Sequence, residues 1–364
     1  TDRRHYGPAL EQWFGRRFPD RADPTVTDID IPVATGFSNE TVLFAMAWTE
    51  EGVERSDRFV ARIEPTGGAL FPPQTPQCTV SVEVQHRAME AVRDHGSAPV
   101  PELLGYEADP AVIGQPFFVM GFVDGRVPAD QPRYSQEGFL VDEASPDERR
   151  RMVTSGLEAM AGVHAIDWRS AGLEWLDASG RSEPTTRVQL DLYRRSTRRE
   201  LAGRPHPVLD AALDWLVAND PGDDRVGLSW GDSRLGNIIW RDYRPAAVVD
   251  WEACALSPTE ADVGWWLMFD RMSFDDLGAE RMEGFPTRDE MIDVYERASG
   301  REVRDPHYWE VFGAMRFCAI FIGLGDRMTN AGLVPPELDM AVANMVTQAL
   351  ADLLGIDNPT PSRI

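Results

Sequence analysis

Two stretches decide how this chain is read: Leu228-Ser-Trp-Gly-Asp-Ser-Arg-Leu-Gly-Asn-Ile-Ile-Trp240 and Val248-Val-Asp-Trp-Glu252. In each, polar side chains stand beside an apolar run of short-strand length. Asp232 and Asn237 share one loop, and Asp250 follows the second run. Singly, an Asp in a Gly-containing loop is a turn residue and an Asn before an apolar run is a cap. Together they supply what phosphoryl transfer requires: oxygen ligands for a metal and a carboxylate for the attacking hydroxyl, with cations or amides still to be found for the phosphates. Asp232, behind Gly231, suits the carboxylate that aligns or accepts the hydroxyl proton. Asn237 and Asp250 offer the oxygen donors that Mg²⁺ prefers.

The cations must be arginines, because the sequence has no lysine and all 36 of its Lys-plus-Arg positions are Arg. Upstream of the two loops the pattern is β. Residues 29–33 and 58–63 alternate, residues 41–48 are apolar, and residues 116–123 read as a strand broken by Asp124-Gly125. Residues 80–95 suit one helix, stopped at Gly96. After a Pro-rich loop over 127–146, helical periodicity dominates, with helices at 148–166, at 207–219 and from Asp262 onward. The expectation is an α+β chain in three parts. Residues 1–24 form a helical extension, 25–122 a small β-rich lobe with one main helix, and 123–364 a larger, mostly helical lobe.

A chain of 364 residues can bury two sizeable cores. Its formal charge is −24. So acidic a surface repels nucleic acid and anionic lipid, which argues against both as partners, and it favours cationic ligands. Cys78, Cys254 and Cys318 form neither a zinc spacing nor a disulfide framework, which points to a reducing compartment. Residues 10–18 are amphipathic rather than a signal core, and the apolar run at 317–324 is shorter than the ~20 residues of a membrane span. A cytoplasmic location is expected.

Trp230-Gly-Asp-Ser-Arg-Leu-Gly-Asn237 resembles the His-Gly-Asp-x-x-x-x-Asn loop of the aminoglycoside phosphotransferase and choline kinase group. Asp250-Trp-Glu252 sits where protein kinases carry Asp-Phe-Gly. The resemblance spans about residues 28–345, and residues 163–173 extend it to an actinobacterial branch of aminoglycoside phosphotransferases. It implies a bilobal protein-kinase-like fold and an ATP- and Mg²⁺-dependent kinase of a small-molecule hydroxyl. Asp232 is then the catalytic base or hydroxyl-orienting residue, and Asn237 and Asp250 bind Mg²⁺. Asp262 braces the loop from a helix N-terminus. Gly36, Ser38 and Asn39 bring backbone N–H groups to the nucleotide phosphates, and Met120, Gly121 and Phe122 form the hinge that meets adenine.

Three departures from the family stand out. Arg62 occupies the place of the phosphate-pairing lysine, and arginine can bind phosphate bidentately and stays charged. Its helical acid is open: pattern alignment reaches Gln85, with Glu83 and Glu90 nearby, and Glu83 is favoured. Trp230 replaces the loop histidine. These changes also allow a nucleotide-binding scaffold without activity. A sister branch forms the kinase domain of some acyl-CoA dehydrogenases, with hydroxyacyl-CoA as acceptor, so the acceptor class stays open. Asp270, Asp275, Asp276 and Glu280 are candidates for an acidic wall that would suit an aminoglycoside. His164, four residues from Met160 on a helical face, reads as a packed core histidine.

Overall fold

The computed structural model describes residues 5–32, 39–181, 183–222 and 225–360. They fall into two units: Thr1–Ala69, Cys78–Glu90 and Pro101–Val123 in one, and Leu70–Gln77, Ala91–Val100 and Asp124–Ile364 in the other.

In the first unit, helix α1 (Tyr6–Arg17) precedes strand β1 (Arg21–Asp30), then β2 (Glu40–Glu50) and β3 (Val53–Ile63). Helix α2 (Ser81–His95) follows, with Ser81–Glu90 in this unit, then β4 (Leu103–Glu107) and β5 (Phe117–Gly121). The strands form one antiparallel sheet in the order β1-β2-β3-β5-β4. Strand alternation decides what each face carries. Val42, Phe44, Met46 and Trp48 of β2, with Phe59 and Ala61 of β3, point to the core that α1 closes with Tyr6, Leu10, Trp13 and Phe14. The helix is thus part of this core rather than an extension to it. Strand β1 starts at Arg21, well before the alternating stretch at residue 29. Its residues are polar because it is an edge strand, and the register shift beside Pro24 suits an edge that few side chains must fill.

In the second unit, α3 (Phe139–Asp142), α4 (Pro146–His164), α5 (Thr186–Leu201) and α6 (Pro207–Ala218) lead to two small hairpin-like sheets. Strand β6 (Val226–Ser229) pairs with β9 (Ala255–Pro258), and β7 (Ile238–Arg241) pairs with β8 (Arg244–Val248). Then come α7 (Glu260–Ser273), α8 (Arg288–Ser299), α9 (Pro306–Asn330) and α10 (Met345–Leu354). Helix α9 is long and apolar enough to cross a membrane by composition, but 78% of its most apolar window is buried in the protein. It packs against α5, α6, α7 and α10 as a core helix. The α7–α9 approach is close enough that a Cβ on Gly264 would lie 2.1 Å from the Trp309 carbonyl oxygen.

Candidate active site

The β6–β7 connection carries Asp232, and its backbone path requires glycine just before it. Gly231 has φ +89°, and a Cβ there would stand 2.0 Å from the Ala253 carbonyl oxygen. Asp232 is only 7% exposed. Its Oδ1 accepts from Trp265 Nε1 at 2.8 Å and Arg234 Nε at 3.1 Å, and its Oδ2 accepts from Asn237 Nδ2 at 2.6 Å. Burial pushes the Asp232 carboxyl above its ordinary value; the Arg234 charge opposes this and Asp250 adds to it. Arg234 in turn places Nη1 on both oxygens of Asp130, at 2.8 and 2.6 Å.

Asn237 is oriented by the same contacts. Its amide also donates to the Asp232 carbonyl at 2.9 Å. Two oxygens on one side fix the nitrogen there and turn Oδ1 the other way, with no hydrogen-bond partner among the described residues. Asp250 follows β8 with φ +62°, and the Val249 N–H donates to the Asn237 carbonyl at 3.0 Å, tying the two loops together. A carboxamide oxygen and a carboxylate on neighbouring loops are the hard donors that Mg²⁺ takes. Trp230, in place of a loop histidine, is buried and donates Nε1 to the Val249 carbonyl at 3.0 Å.

Beneath the loop lies Asp262 at the start of α7, fully buried. Its Oδ1 accepts from Ser229 Oγ at 2.9 Å and the Gly231 N–H at 2.8 Å. Its Oδ2 accepts from the Trp230 N–H at 2.6 Å and lies 2.9 Å from His164 Nε2. The other ring nitrogen of His164 meets the Tyr295 hydroxyl at 2.8 Å. Burial works to raise the Asp262 carboxyl, but the His164 hydrogen bond and the loop N–H groups hold it below its ordinary value. So His164 is buried, as its helical position suggests, and also steadies this brace. Arg316 of α9 completes it, donating to the Gly231 carbonyl at 2.9 Å and to the Tyr193 hydroxyl at 3.0 Å. Sequence reasoning missed the roles of Arg316 and Trp265, because both reach the loop from positions distant in sequence.

The expected nucleotide residues of the small unit stand as follows. Gly36 and Ser38 lie outside the described residues. Asn39 is buried, and Gln85 Nε2 donates to its Oδ1 at 3.0 Å and to Ser81 Oγ at 3.1 Å. Arg62 pairs in register with Phe118 and donates Nη1 to Thr41 Oγ1 at 2.7 Å. The Glu83 carboxylate lies 3.5 Å from Arg87 Nη1 and accepts from the Tyr106 hydroxyl at 3.3 Å. Glu64, which sequence reasoning missed, accepts from the Ser81 and Val82 N–H groups at 3.1 and 2.9 Å and so caps α2. Met120 pairs with Val60 and Leu103 inside the sheet. The N–H groups of Gly121 and Phe122 are committed to the carbonyls of Glu102 and Arg58, at 2.8 and 2.9 Å. At these two positions only carbonyl oxygens remain to meet a base.

Asp232 and Arg234 open onto a cavity of about 440 Å³ in the large unit. One wall is a stripe of α9: Phe317, Ile320, Phe321, Leu324 and Met328, at helical spacing. Trp265 and Phe269 of α7 and Met345 of α10 add further apolar surface. The four acids expected to line an acceptor wall are not among the cavity's lining residues. Asp270 lies within 2.6 Å of Arg281 Nη2 and Asp276 within 3.0 Å of Arg271 Nε. Asp270 and Asp275 line a separate, open, charged depression with Arg271 and Arg288. Sequence spacing could not show that Asp270 and Asp276 already have arginine partners.

Residues 31–304 match the profile of the phosphotransferase enzyme family. The chain belongs to that family and is a phosphotransferase with a hydroxyl acceptor. Among solved structures it resembles a Ralstonia eutropha protein assigned as an aminoglycoside phosphotransferase, with TM-score 0.67, 22% identity, and coverage of 96% of this chain and 99% of the other. It also resembles macrolide 2′-phosphotransferase MphH from Brachybacterium faecium, with TM-score 0.52, 17% identity, and coverage of 96% and 99%. At these identities the likeness shows the fold alone: bilobal, kinase-like and α+β. Among curated proteins it is 27% identical to acyl-CoA dehydrogenase family member 11 of Mus musculus, over 85% of this chain and 37% of that one. Against the same family member of Rattus norvegicus the identity is 28%, over 72% and 32%. The chain thus spans about a third of the length of the curated relatives it matches.

Proposed function

We propose that the chain transfers the γ-phosphoryl group of ATP to the hydroxyl of a small, largely apolar acceptor of the hydroxyacyl type, rather than to an aminoglycoside. The observation that carries this reading is the cavity beside Asp232, walled by aromatic, Leu and Met side chains and holding no carboxylate free of an arginine among its described lining residues. A polycationic acceptor would have to bury its ammonium groups there without partners, at a cost of several kcal/mol each, on the order of the penalty for unpaired buried charge. An acyl chain would gain from the same surface.

Asp232 would align the acceptor hydroxyl and take its proton. Its raised affinity for protons brings it closer to the working pH of a base. Trp265, Arg234 and Asn237 hold the carboxylate in one orientation. Asn237 Oδ1 and Asp250 would hold Mg²⁺, which would neutralise phosphate charge when bound. Arg62 would take the α- and β-phosphates together with Asn39. Glu83 is the α2 acid available to it, provided it exchanges Arg87 for Arg62. Met120 to Phe122 would border adenine. The acyl-CoA dehydrogenase relatives support the acceptor class by their names, and the cavity supports it independently.

The test is acceptor-dependent ADP release with medium-chain hydroxy acids, their thioesters, kanamycin and hygromycin B. Turnover with an acyl acceptor at least ten-fold above the aminoglycosides is expected. Turnover of kanamycin alone would overturn the acceptor class. Tight Mg·ATP binding with no turnover across the panel would favour a silent scaffold.

A further inference from the structure

The cavity contains one charge that the reaction does not use. Arg133 lines it beside Asp130, Arg234 and Phe269. Its backbone N–H is engaged by Gln136 Oε1 at 3.3 Å, and its guanidinium carbon lies 5.7 Å from the centroid of the Phe269 ring. Among the described residues, no carboxylate lies within ion-pair reach of that guanidinium. The two acids that share the cavity are both held by Arg234: Asp130 through Nη1 and Asp232 through Nε. Burial pushes the Arg133 guanidinium below its ordinary value, although arginine stays charged in any case. The charges of Asp130 and Asp276 offset that burial only in part, and Arg234 opposes them. A cation partly withdrawn from water without a direct ion pair is costly to keep, and a bound anion would reduce that cost.

We propose that Arg133 is the specificity residue for the acceptor, binding an oxyanion at one end of a ligand whose apolar body lies along the α9 stripe. This rests on the hydroxyl-kinase reading and sharpens it: the acceptor is an anionic amphiphile. The oxyanion is either the carboxylate of a free hydroxy acid or a phosphate of its carrier thioester. Both fit the planar, bidentate geometry of a guanidinium. The same feature excludes cationic acceptors a second time, since an ammonium group would meet Arg133 as a like charge.

The test is binding to the intact protein by isothermal titration calorimetry, with decanoate, decanoyl-CoA and 1-decanol as probes. At least one anionic probe should bind about ten-fold more tightly than decanol, the size expected for one charge-assisted hydrogen-bonded contact. Which anion gains identifies the source of the oxyanion. Arg133→Gln should abolish that gain and leave decanol binding unchanged, and Arg133→Lys should retain part of it. Equal binding of all three probes by the unaltered protein would overturn the proposal. So would an equal loss for decanol and the anions in Arg133→Gln, which would mark a packing role. These readouts need no turnover. If hydroxylated versions of the probes bind through Arg133 but are never phosphorylated, the kinase reading fails and the anion site stands.

Discussion

Asp232 and Asp262 are two buried carboxylates of one site, held in opposite ways. Asp232 titrates above the ordinary aspartate value of 3.8 and Asp262 below it. By linkage, a raised folded-state value contributes stability present below the unfolded value and lost as pH rises through the folded one. A lowered value contributes stability present above 3.8 and lost as pH falls through the folded value. The stability of the native protein relative to Asp232→Asn should therefore fall as pH rises from about 4 toward neutrality. Relative to Asp262→Asn it should fall as pH is lowered below about 4. Urea unfolding across pH checks both, and slopes of the same sign would contradict the assignment. Arg316→Met removes the brace on the Gly231 carbonyl and should cost about 1.5–3 kcal/mol, the range for hydrogen bonds of a charged donor. A loss under about 1 kcal/mol would show the brace to be idle. Asp232, Asn237 and Asp250 were legible in the sequence because their loops are short and local. Trp265 and Arg316 were not, since they reach the loop from positions 33 and 85 residues away. His164 was read as a buried core residue, but its link to Asp262 spans 98 residues and no pattern announces it.

At the level of elements, α7 and α9 must lie close together for Asp262, Trp265 and Arg316 to reach one loop. Gly264 permits that approach at the Trp309 backbone. Gly264→Ala should force the helices apart, cost about 1–3 kcal/mol by overpacking, and lower kcat. Denaturant unfolding with steady-state kinetics tests this, and a variant as stable and active as the native protein would refute it. The strands β2, β3 and β5 and helix α2 were legible from periodicity. Helix α5 escaped because its apolar stripe of Leu190, Tyr193 and Leu201 is thin among arginines, and its burial comes from α6 and α9. Strand β9 escaped because four residues ending in Pro258 carry no period of their own; pairing with β6 makes them a strand.

For the whole molecule, the charge of −24 suggested a cationic ligand, and the structure separates that average from the site. Asp270 and Asp276 are matched by Arg281 and Arg271, and the cavity beside Asp232 is walled largely by apolar side chains. The acidic surface should still attract aminoglycosides loosely. Raising ionic strength should weaken kanamycin binding several-fold, since surface attraction is screened over about 10 Å at 0.1 M salt. The KM of an acyl acceptor should hardly move. Equal salt sensitivity for both ligands, measured side by side, would contradict this separation of surface and site.

In the proposed reaction Asp232 directs phosphoryl transfer to a hydroxyl. The decisive measurement is ³¹P NMR of the products formed from ATP and a medium-chain hydroxyacyl acceptor, with the native protein and with Asp232→Asn. The native protein should yield a phosphate monoester on the acceptor. The variant should form it at least about 100-fold more slowly, the scale of general-base catalysis, while Mg·ATP affinity stays within a few-fold. A monoester formed at the native rate by Asp232→Asn, or inorganic phosphate as the sole product of the native protein, would contradict it.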